Sequence, residues 1–479
     1  MSETPAMLRL GLAADGLRQA RRHPLLVAQQ RPRRSEQILR LLGDPARPNW
    51  LCLSVEEGAS VRREVLPTGA AANEPAEAAL QLLAEGRADI ATVQVEYDGY
   101  ALEVQFVAVR LQHRKSEAGF EEIALRAQDG GAAPLSALAA ALARDLPVQW
   151  HGTLPLLAAA SDLDLYRPAP QRAGQVAFAM PEDPTASAAF AAVARHCLAQ
   201  FDANLLPVLR NQDIEGVHQM RVALRRLRSA LDVFAPILPD KMVAPLLEDL
   251  RWLNAPLGRK RDLDVFLSET LAPLGRADSA ARGLKDLTTV IEDRRQAAQQ
   301  ALDFALRSSR CAAWRLQFAA CLDSLEQRIA ETGDEDLQAR ASLPAARFAA
   351  SVLQHRRKKV KKLGKRHESL DTEALHRLRI RTKKLRYAAE FFRPLFARKQ
   401  TRKFLAALAE LQDCLGALND AAVGAELTRD VLGPPDRDPA AAAIIAWFAG
   451  RQELQLGHLG EAWEAFTETK PFWKDELED

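Results

Sequence analysis

Two histidine-led runs of basic side chains invite a chemical reading. HQMRVALRRLR, His218 to Arg228, places His218, Arg221, Arg225 and Arg228 at i, i+3, i+7 and i+10, which is one stripe on a helix of 3.6 residues per turn. A second run places His376, Arg379, Lys383 and Arg386 at the same spacing. One step round each helix runs an apolar seam, Met220, Leu224, Leu227, Leu231 and Phe234 in the first and Leu378, Leu385, Ala389 and Phe392 in the second. Each helix thus has one face for a core and one for something anionic. Arg offers phosphate oxygens a bidentate fork, Lys adds a point charge, and a histidine near its pKa supplies a donor and a charge. The ordinary explanation of a charged face is solvation. Solvated faces mix signs and gain i,i+4 pairs, whereas neither stretch here contains an acid, and like charges at helical spacing repel.

Other chemistries find less support. No His or carboxylate stands three or four residues after either histidine, so a helix-face metal site is not expected, and no nucleophile motif accompanies them, so no catalytic residue, metal or cofactor is assigned. A third basic element, QHRRKKVKKLGKRH from Gln354 to His367, holds eight Lys/Arg in fourteen residues with no acid, among them Lys358, Lys361, Lys362 and Lys365. A repeated LGxxxD element, Leu257-Gly258 to Asp262 and Leu415-Gly416 to Asp420, reads as structural. Its Gly permits close helix approach or a C-terminal cap, and its Asp can cap a turn or pair with a basic residue.

The elements that must position these residues are set by an internal repeat. At a constant offset of 158 residues, His218 falls on His376, Arg221 on Arg379, Phe190 on Phe348, Phe234 on Phe392, Pro236 on Pro394, Gly258 on Gly416 and Asp262 on Asp420, without a gap over about 75 residues. Alanine-rich composition alone does not produce such matches, and two similar helical bundles related by approximate two-fold symmetry are expected. The repeats span about 185–335 and 343–479. They are interrupted by turn-rich TGDEDL, Thr332 to Leu337, and LGPPDRDP, Leu432 to Pro439. Ahead of them, RPAPQRAGQVAFAMPEDP, residues 167–184, carries four prolines and reads as an extended linker. Residues 1–166 read differently. Ile90 to Ala127 alternates apolar and polar residues around an Asp98-Gly99 turn, and Trp50 to Val55 looks like another strand, which together predict antiparallel sheet. EPAEAALQLLAEG (Glu74 to Gly86) and PLSALAAALARDL (Pro134 to Leu146) read as short amphipathic helices. The fold class is therefore α+β, a β-rich part followed by an all-α part.

The whole chain of 479 residues has 65 Lys+Arg against 63 Asp+Glu, a formal charge of only +2, so its charge is segregated, not absent. Cys52, Cys197, Cys311, Cys321 and Cys414 are scattered and never form C-x-x-C, which argues against a disulfide framework or thiolate zinc and for a reducing, cytoplasmic setting. The longest apolar run, Ala440 to Ala449, is far short of the roughly 20 residues of a membrane span. Secreted, membrane-spanning and disordered classes are not expected.

The motifs H-x-x-R-V-x-x-R-R-L-R and H-x-L-R-I-R-x-K-K-L-R-Y, with the LG…RDLDV element, resemble the CHAD domain, the conserved histidine α-helical domain, over roughly Pro184 to Asp479. The resemblance implies two four-helix bundles about a pseudo-two-fold axis, a basic surface or central pore, and binding of inorganic polyphosphate. Residue by residue it assigns the family's histidines to His218 and His376, and its basic residues to Arg221, Arg225, Arg228, Arg379, Lys383 and Arg386. The run with Lys358, Lys361, Lys362 and Lys365 resembles the family's additional basic helix. Its counterpart in the first repeat, HCLAQFDANLLPVLR, is nearly uncharged, which implies a lopsided site. The β-rich part resembles a degenerate CYTH domain, a triphosphate-tunnel β-barrel, with LPLLAAASDLDLY falling among the late strands. That family's N-terminal E-x-E-x-K is replaced by PAMLRLGL, and the later one by Glu122-Ile-Ala124-Leu-Arg126. Divalent metals need clustered oxygen ligands, so a non-catalytic barrel is expected.

Three functions follow from these features. The first is a non-catalytic polyphosphate-binding protein, with targeting to polyphosphate granules as a corollary. The second is a metal-dependent triphosphatase or polyphosphatase, disfavoured by the missing acids. The third is a nucleic-acid backbone binder, disfavoured because single-strand binders interleave aromatics for stacking and neither basic stretch contains one.

Overall fold

The computed structural model describes residues 7–13, 15–27, 31–44, 47–58, 60–66, 79–127, 132–176, 178–272, 282–365 and 370–477. Its first part is an antiparallel sheet of eight strands: β1 Met7–Leu12, β2 Arg33–Asp44, β3 Arg47–Glu57, β4 Ser60–Val65, β5 Gln81–Tyr97, β6 Tyr100–His113, β7 Ser116–Ala127 and β8 Val148–His151. The order is β4-β3-β2-β5-β6-β7-β1-β8. Asp98 and Gly99 turn β5 into β6 with φ of 52° and 77°, the doubly left-handed conformation that two-residue hairpins favour.

The sheet is rolled. Arg9 on β1 reaches Glu64 on β4 at 3.6 Å, although six strand spacings separate these strands in the sheet order, which in a flat sheet would be roughly 29 Å. The expected barrel does not close, because β4 and β8 remain edges and share no ladder among the described residues. Two local expectations also change. Gln81 to Gly86 is strand, with Gln81 opposite Gly43 and Leu82 opposite Leu42; a long ladder with β2 overrides the helical periodicity of a short alanine-containing segment. Of the remainder of that segment, residues 74–78 lie outside the described residues. LPLLAAASD forms a helix, Leu154–Asp162, as its lack of β-branched residues favours, and β8 just before it supplies the last strand.

Helices α1, Ala132–Asp145, and α2, Leu154–Asp162, cover separate patches of this sheet. Leu135, Leu138 and Leu142 join Leu10, Val104 and Leu125 in one core, and Leu156, Leu157 and Ala160 join Leu41, Leu53 and Leu111 in another.

The second part is built on the long helices α3 Ala186–Ala203, α4 Ile214–Val233, α5 Asp240–Val265, α6 Arg282–Arg307, α7 Ser309–Asp323, α8 Ala345–Gly364, α9 Thr372–Phe392, α10 Arg398–Leu432 and α11 Pro439–Glu468, with shorter helices between them. α4 and α9, and likewise α5 and α10, begin at the repeat offset. Asp213 and Asp371, also repeat mates, cap α4 and α9 by accepting from the amides of Gly216 and Ala374, each at 2.7 Å. The extra helix α7 buries Ala312, Leu316 and Ala320 in the core shared by the sheet and α1.

The pseudo-two-fold relation is visible in the packing. The mates Phe190, Phe234, Phe348 and Phe392 meet in one buried cluster, with Phe234 at 5.4, 5.4 and 5.3 Å from Phe190, Phe348 and Phe392. At the entrance to each repeat, Ala186 donates to the Leu343 carbonyl at 2.9 Å and Ala345 to that of Pro184 at 2.8 Å, an antiparallel bridge at Thr185 and Pro344 that joins the two entrances. No helix among the described residues is long and apolar enough to cross a membrane.

Candidate functional site

α4 and α9 pack on each other at the junction of the repeats. Their apolar seams are buried, Met220, Leu224 and Leu227 on one side and Leu378 and Leu385 on the other, so the basic stripes are set beside one another. Arg221, Arg225, Arg379 and Lys383 lie close enough to perturb each other. Burial, and then the guanidinium groups of Arg379, Arg225 and Arg221, hold the Lys383 ammonium down to about 8, with Asp420 opposing. Arg379 is likewise held below the ordinary guanidinium value by burial; Asp420 opposes, and Arg225 and Arg221 add to the depression. Both shifts mean that positive charge is concentrated in a partly desolvated place.

The LGxxxD elements turn out to be the anchors of this cluster. Arg221 donates through Nη1 to the Gly258 carbonyl at 2.7 Å and to Asp262 Oδ1 at 2.9 Å. Its mate Arg379 stands 3.7 Å from Asp420. Both aspartates lie inside the long helices α5 and α10, so pairing with a basic residue, not capping, is their role. Among the described residues, Arg225, Arg228 and Lys383 form no ion pair, and the Nε atoms of Arg225 and Arg379 are buried without a partner. The arrangement presents several cationic donors, two of them with a buried, unpartnered Nε, in a form suited to an anion.

The other expected residues sit around this centre. His218 is half-buried, and its pKa is lowered by burial first and then by Arg261, against the pull of Glu215, with Arg225 and Arg221 adding to the depression. His376 and Arg228 are exposed. Arg386 is engaged by Glu390 at 2.9 Å and Asp413 at 4.0 Å. Lys358, Lys362 and Lys365 are exposed and Lys361 half-buried on or just after α8, outside the group that acts on Lys383. What ties α8 to the stripe helices is different: Arg381 donates to the Lys359 carbonyl at 3.2 Å, and Asp232 accepts from Arg356 at 2.8 Å and Lys384 at 3.1 Å. Arg366 lies outside the described residues. Arg261, the strongest charge acting on His218, was not singled out from the sequence. Its signal was its place in the first LGxxxD element, one residue before the anchoring Asp262.

The acids and bases that replace the tunnel signature, and the cysteines, are paired or buried. In the rolled sheet Glu122 is buried, which pushes its carboxyl up to about 7 against the pull of Arg9, with Glu64 adding to the rise. Arg126 is 3.9 Å from Glu103. Among the described residues no three or more His, Cys, Asp or Glu side chains are grouped to hold a metal ion. All five cysteines are buried and outside any disulfide, and burial raises the Cys311 thiol to about 12, far from the thiolate a nucleophile requires.

A family model described as CHAD domain matches residues 192–429. The crystal structure of the CHAD domain from the plant Ricinus communis is similar at 31% identity and a TM-score of 0.51, covering 63% of this chain and 98% of that one. PptA from Streptomyces chartreusis is similar at 17% identity and a TM-score of 0.41, over 60% of this chain and 99% of that one. No curated protein matches.

Proposed function

The chain belongs to the CHAD family, and from that premise we propose that it is a non-catalytic binding protein for inorganic polyphosphate, held where the two repeats meet. The observation that carries this reading is the convergence of Arg221, Arg225, Arg379 and Lys383 from both repeats, where among the described residues the ion pairs of these four are with Asp262 and Asp420. A chain of phosphates supplies closely spaced negative charge along its length and needs no pocket for a base. It would offset the burial and the neighbouring positive charge that depress Lys383 and satisfy buried guanidinium Nε atoms. A cytoplasmic protein that associates with polyphosphate granules is the setting this reading implies.

The rolled sheet is read as a non-catalytic partner. Arg9 occupies the place beside Glu122 where a divalent ion would need another oxygen donor, so the full chain with Mg²⁺ or Mn²⁺ should release no phosphate from triphosphate, ATP or polyphosphate.

The deciding experiment is competition among long-chain polyphosphate, single-stranded DNA and RNA at matched phosphate concentration and several salt concentrations. Polyphosphate should win, and its affinity should fall steeply as salt rises, because each neutralised phosphate releases counterions. Equal or tighter binding of single-stranded DNA, or a flat salt response, overturns the reading.

A further inference from the structure

A second cationic region lies away from the paired stripes. A cavity of about 1480 Å³ opens between the linker (Ala173 to Phe178), α3, the C-terminal end of α9 and the first turns of α10. Its cations are Arg226, Arg393, Arg398, Lys399 and Arg402, and its one acid is Glu390, already engaged by Arg386 at 2.9 Å. Among the described residues none of Arg393, Arg398, Lys399 and Arg402 forms an ion pair. Arg226 leans on Phe391 at 5.8 Å and donates to Gln200 at 3.3 Å, yet its Nε is buried without a partner. Much of the remaining lining is apolar: Val193, Phe178, Phe396 and Leu405.

The repeat supplies an internal control. At the 158-residue offset, Arg393, Arg398 and Arg402 correspond to Ala235, Asp240 and Ala244, while Arg226 corresponds to Lys384 and Lys399 to Lys241, which keep a cation. In that counterpart region Lys384 is neutralised by Asp232 at 3.1 Å. The turn Ala235–Ile237 is covered by the short helix Glu335–Ala341, whose Arg340 donates to the Pro236 carbonyl at 2.9 Å. One repeat covers this place with protein and carries there two lysines, one of them paired, and an aspartate, while the other leaves it open and presents four arginines and a lysine.

We propose that this cavity is a second anion site, separate from the stripes, and that it takes a nucleoside polyphosphate. Arg398, Lys399 and Arg402 would hold the phosphates, and the base would lie against the apolar wall near Phe178, whose ring stands 4.8 Å from that of His196. The two halves of the lining choose the ligand. Unpaired Arg and Lys select phosphate oxygens. An inorganic chain has nothing to place on Phe178, Phe396 and Leu405, whereas a purine ring gains from stacking there. Small-molecule sites run to about 300–1,000 Å³, so the volume admits a hydrated nucleotide.

The test uses the full chain, ATP without metal as the probe in equilibrium dialysis, and tripolyphosphate as the comparator without a base. ATP should bind more tightly than tripolyphosphate. The double variant Arg398→Glu with Arg402→Glu should lose at least tenfold in ATP affinity and keep polyphosphate binding. Arg225→Glu with Lys383→Glu should do the opposite, which separates failure here from failure of the stripe reading. Phe178→Ala should weaken ATP but not tripolyphosphate. Should circular dichroism show the Arg398/Arg402 reversal to be misfolded, Lys399→Gln with Arg402→Gln provides the milder variant, with a loss of several-fold expected. Tripolyphosphate binding as tightly as ATP, undiminished ATP affinity in the cavity variants, or loss of ATP with the stripe variant would each overturn the proposal.

Discussion

In the first repeat Arg221 is clamped by a backbone carbonyl at 2.7 Å and by Asp262 at 2.9 Å; in the second, Arg379 stands 3.7 Å from Asp420 with its Nε buried and unpartnered. Arg228 is exposed, while its mate Arg386 is tied to Glu390. Arg225 has become Lys383, whose proton is held more weakly than in water. Helices superposable by a fixed offset thus divide the labour. Among the described residues the first repeat clamps Arg221 and leaves Arg225 and Arg228 without an ion pair, whereas the second holds Arg379 more loosely, ties Arg386 to carboxylates and keeps a desolvated Lys383 unpaired. A duplicated scaffold allows this because the core face of each helix sets the fold, which leaves the other face free to diverge.

The largest effect that can break this comparison comes from reversing charge in each repeat separately. Each of Arg221→Glu with Arg225→Glu and Arg379→Glu with Lys383→Glu changes the local charge by four. Each should cost about 100-fold or more in polyphosphate affinity at ~0.1 M salt, far more than half, because one chain engages both repeats as linked valences. The second-repeat change should do at least as much damage. If both variants keep wild-type affinity with unchanged helical circular dichroism, the stripes are solvated faces.

A tenfold-scale effect should follow pH. The Lys383 pKa in the folded protein, about 8, is below its ordinary value of 10.5. Between those values the unfolded chain holds a proton that the folded one has released, so the free protein gains stability as pH rises through the window and carries the full penalty below it. Bound phosphate favours the charged ammonium. Polyphosphate binding should therefore take up protons between about pH 8 and 10.5, and affinity should fall about tenfold across that range. Lys383→Met should abolish that dependence and raise the thermal midpoint of the free protein at pH 7. His218, whose pKa lies below its ordinary 6.5, should add a smaller gain in affinity as pH falls below 6.5. Titration calorimetry in two buffers of different ionisation enthalpy reads the proton uptake; none at pH 9 would mean that Lys383 does not touch the ligand.

Much of this site was legible in the sequence, for a definite reason. A stripe is a local property of one helix, and the offset between His218 and His376 exposed its duplication. The anchors were only half legible. Arg221 and Asp262 are 41 residues apart, so the repeated LGxxxD marked the Asp as useful but could not name its partner, and the Gly258 carbonyl has no sequence signature. The cavity was hidden for the same reason, since its walls come from the linker and from α10, more than 200 residues apart. In the sheet, strands were readable where alternation was strong, but Gln81 to Gly86 took its conformation from its partner β2. The roll of the sheet rests on contacts such as Arg9 with Glu64, which no periodicity encodes.

The smallest effect is the sharpest probe of the division between the repeats, because it alters one methyl group. A Cβ added at Gly258 would lie 3.3 Å from Arg221 Nη1, whereas one added at its mate Gly416 would meet nothing within 4 Å. Both positions lie inside long helices, where Gly→Ala ordinarily stabilises by about 0.5–1 kcal/mol. Gly416→Ala should deliver that gain and leave polyphosphate affinity unchanged. Gly258→Ala should deliver less of it, because the guanidinium must move by a few tenths of an ångström from its carbonyl and carboxylate partners. Its polyphosphate affinity should fall about two- to threefold, the scale of a loosened but unbroken charged hydrogen bond. Chemical denaturation reads the first quantity and equilibrium binding the second. Equal behaviour of the two variants in both would mean that Arg221 is no more rigidly held than Arg379, and that the repeats differ in composition but not in role.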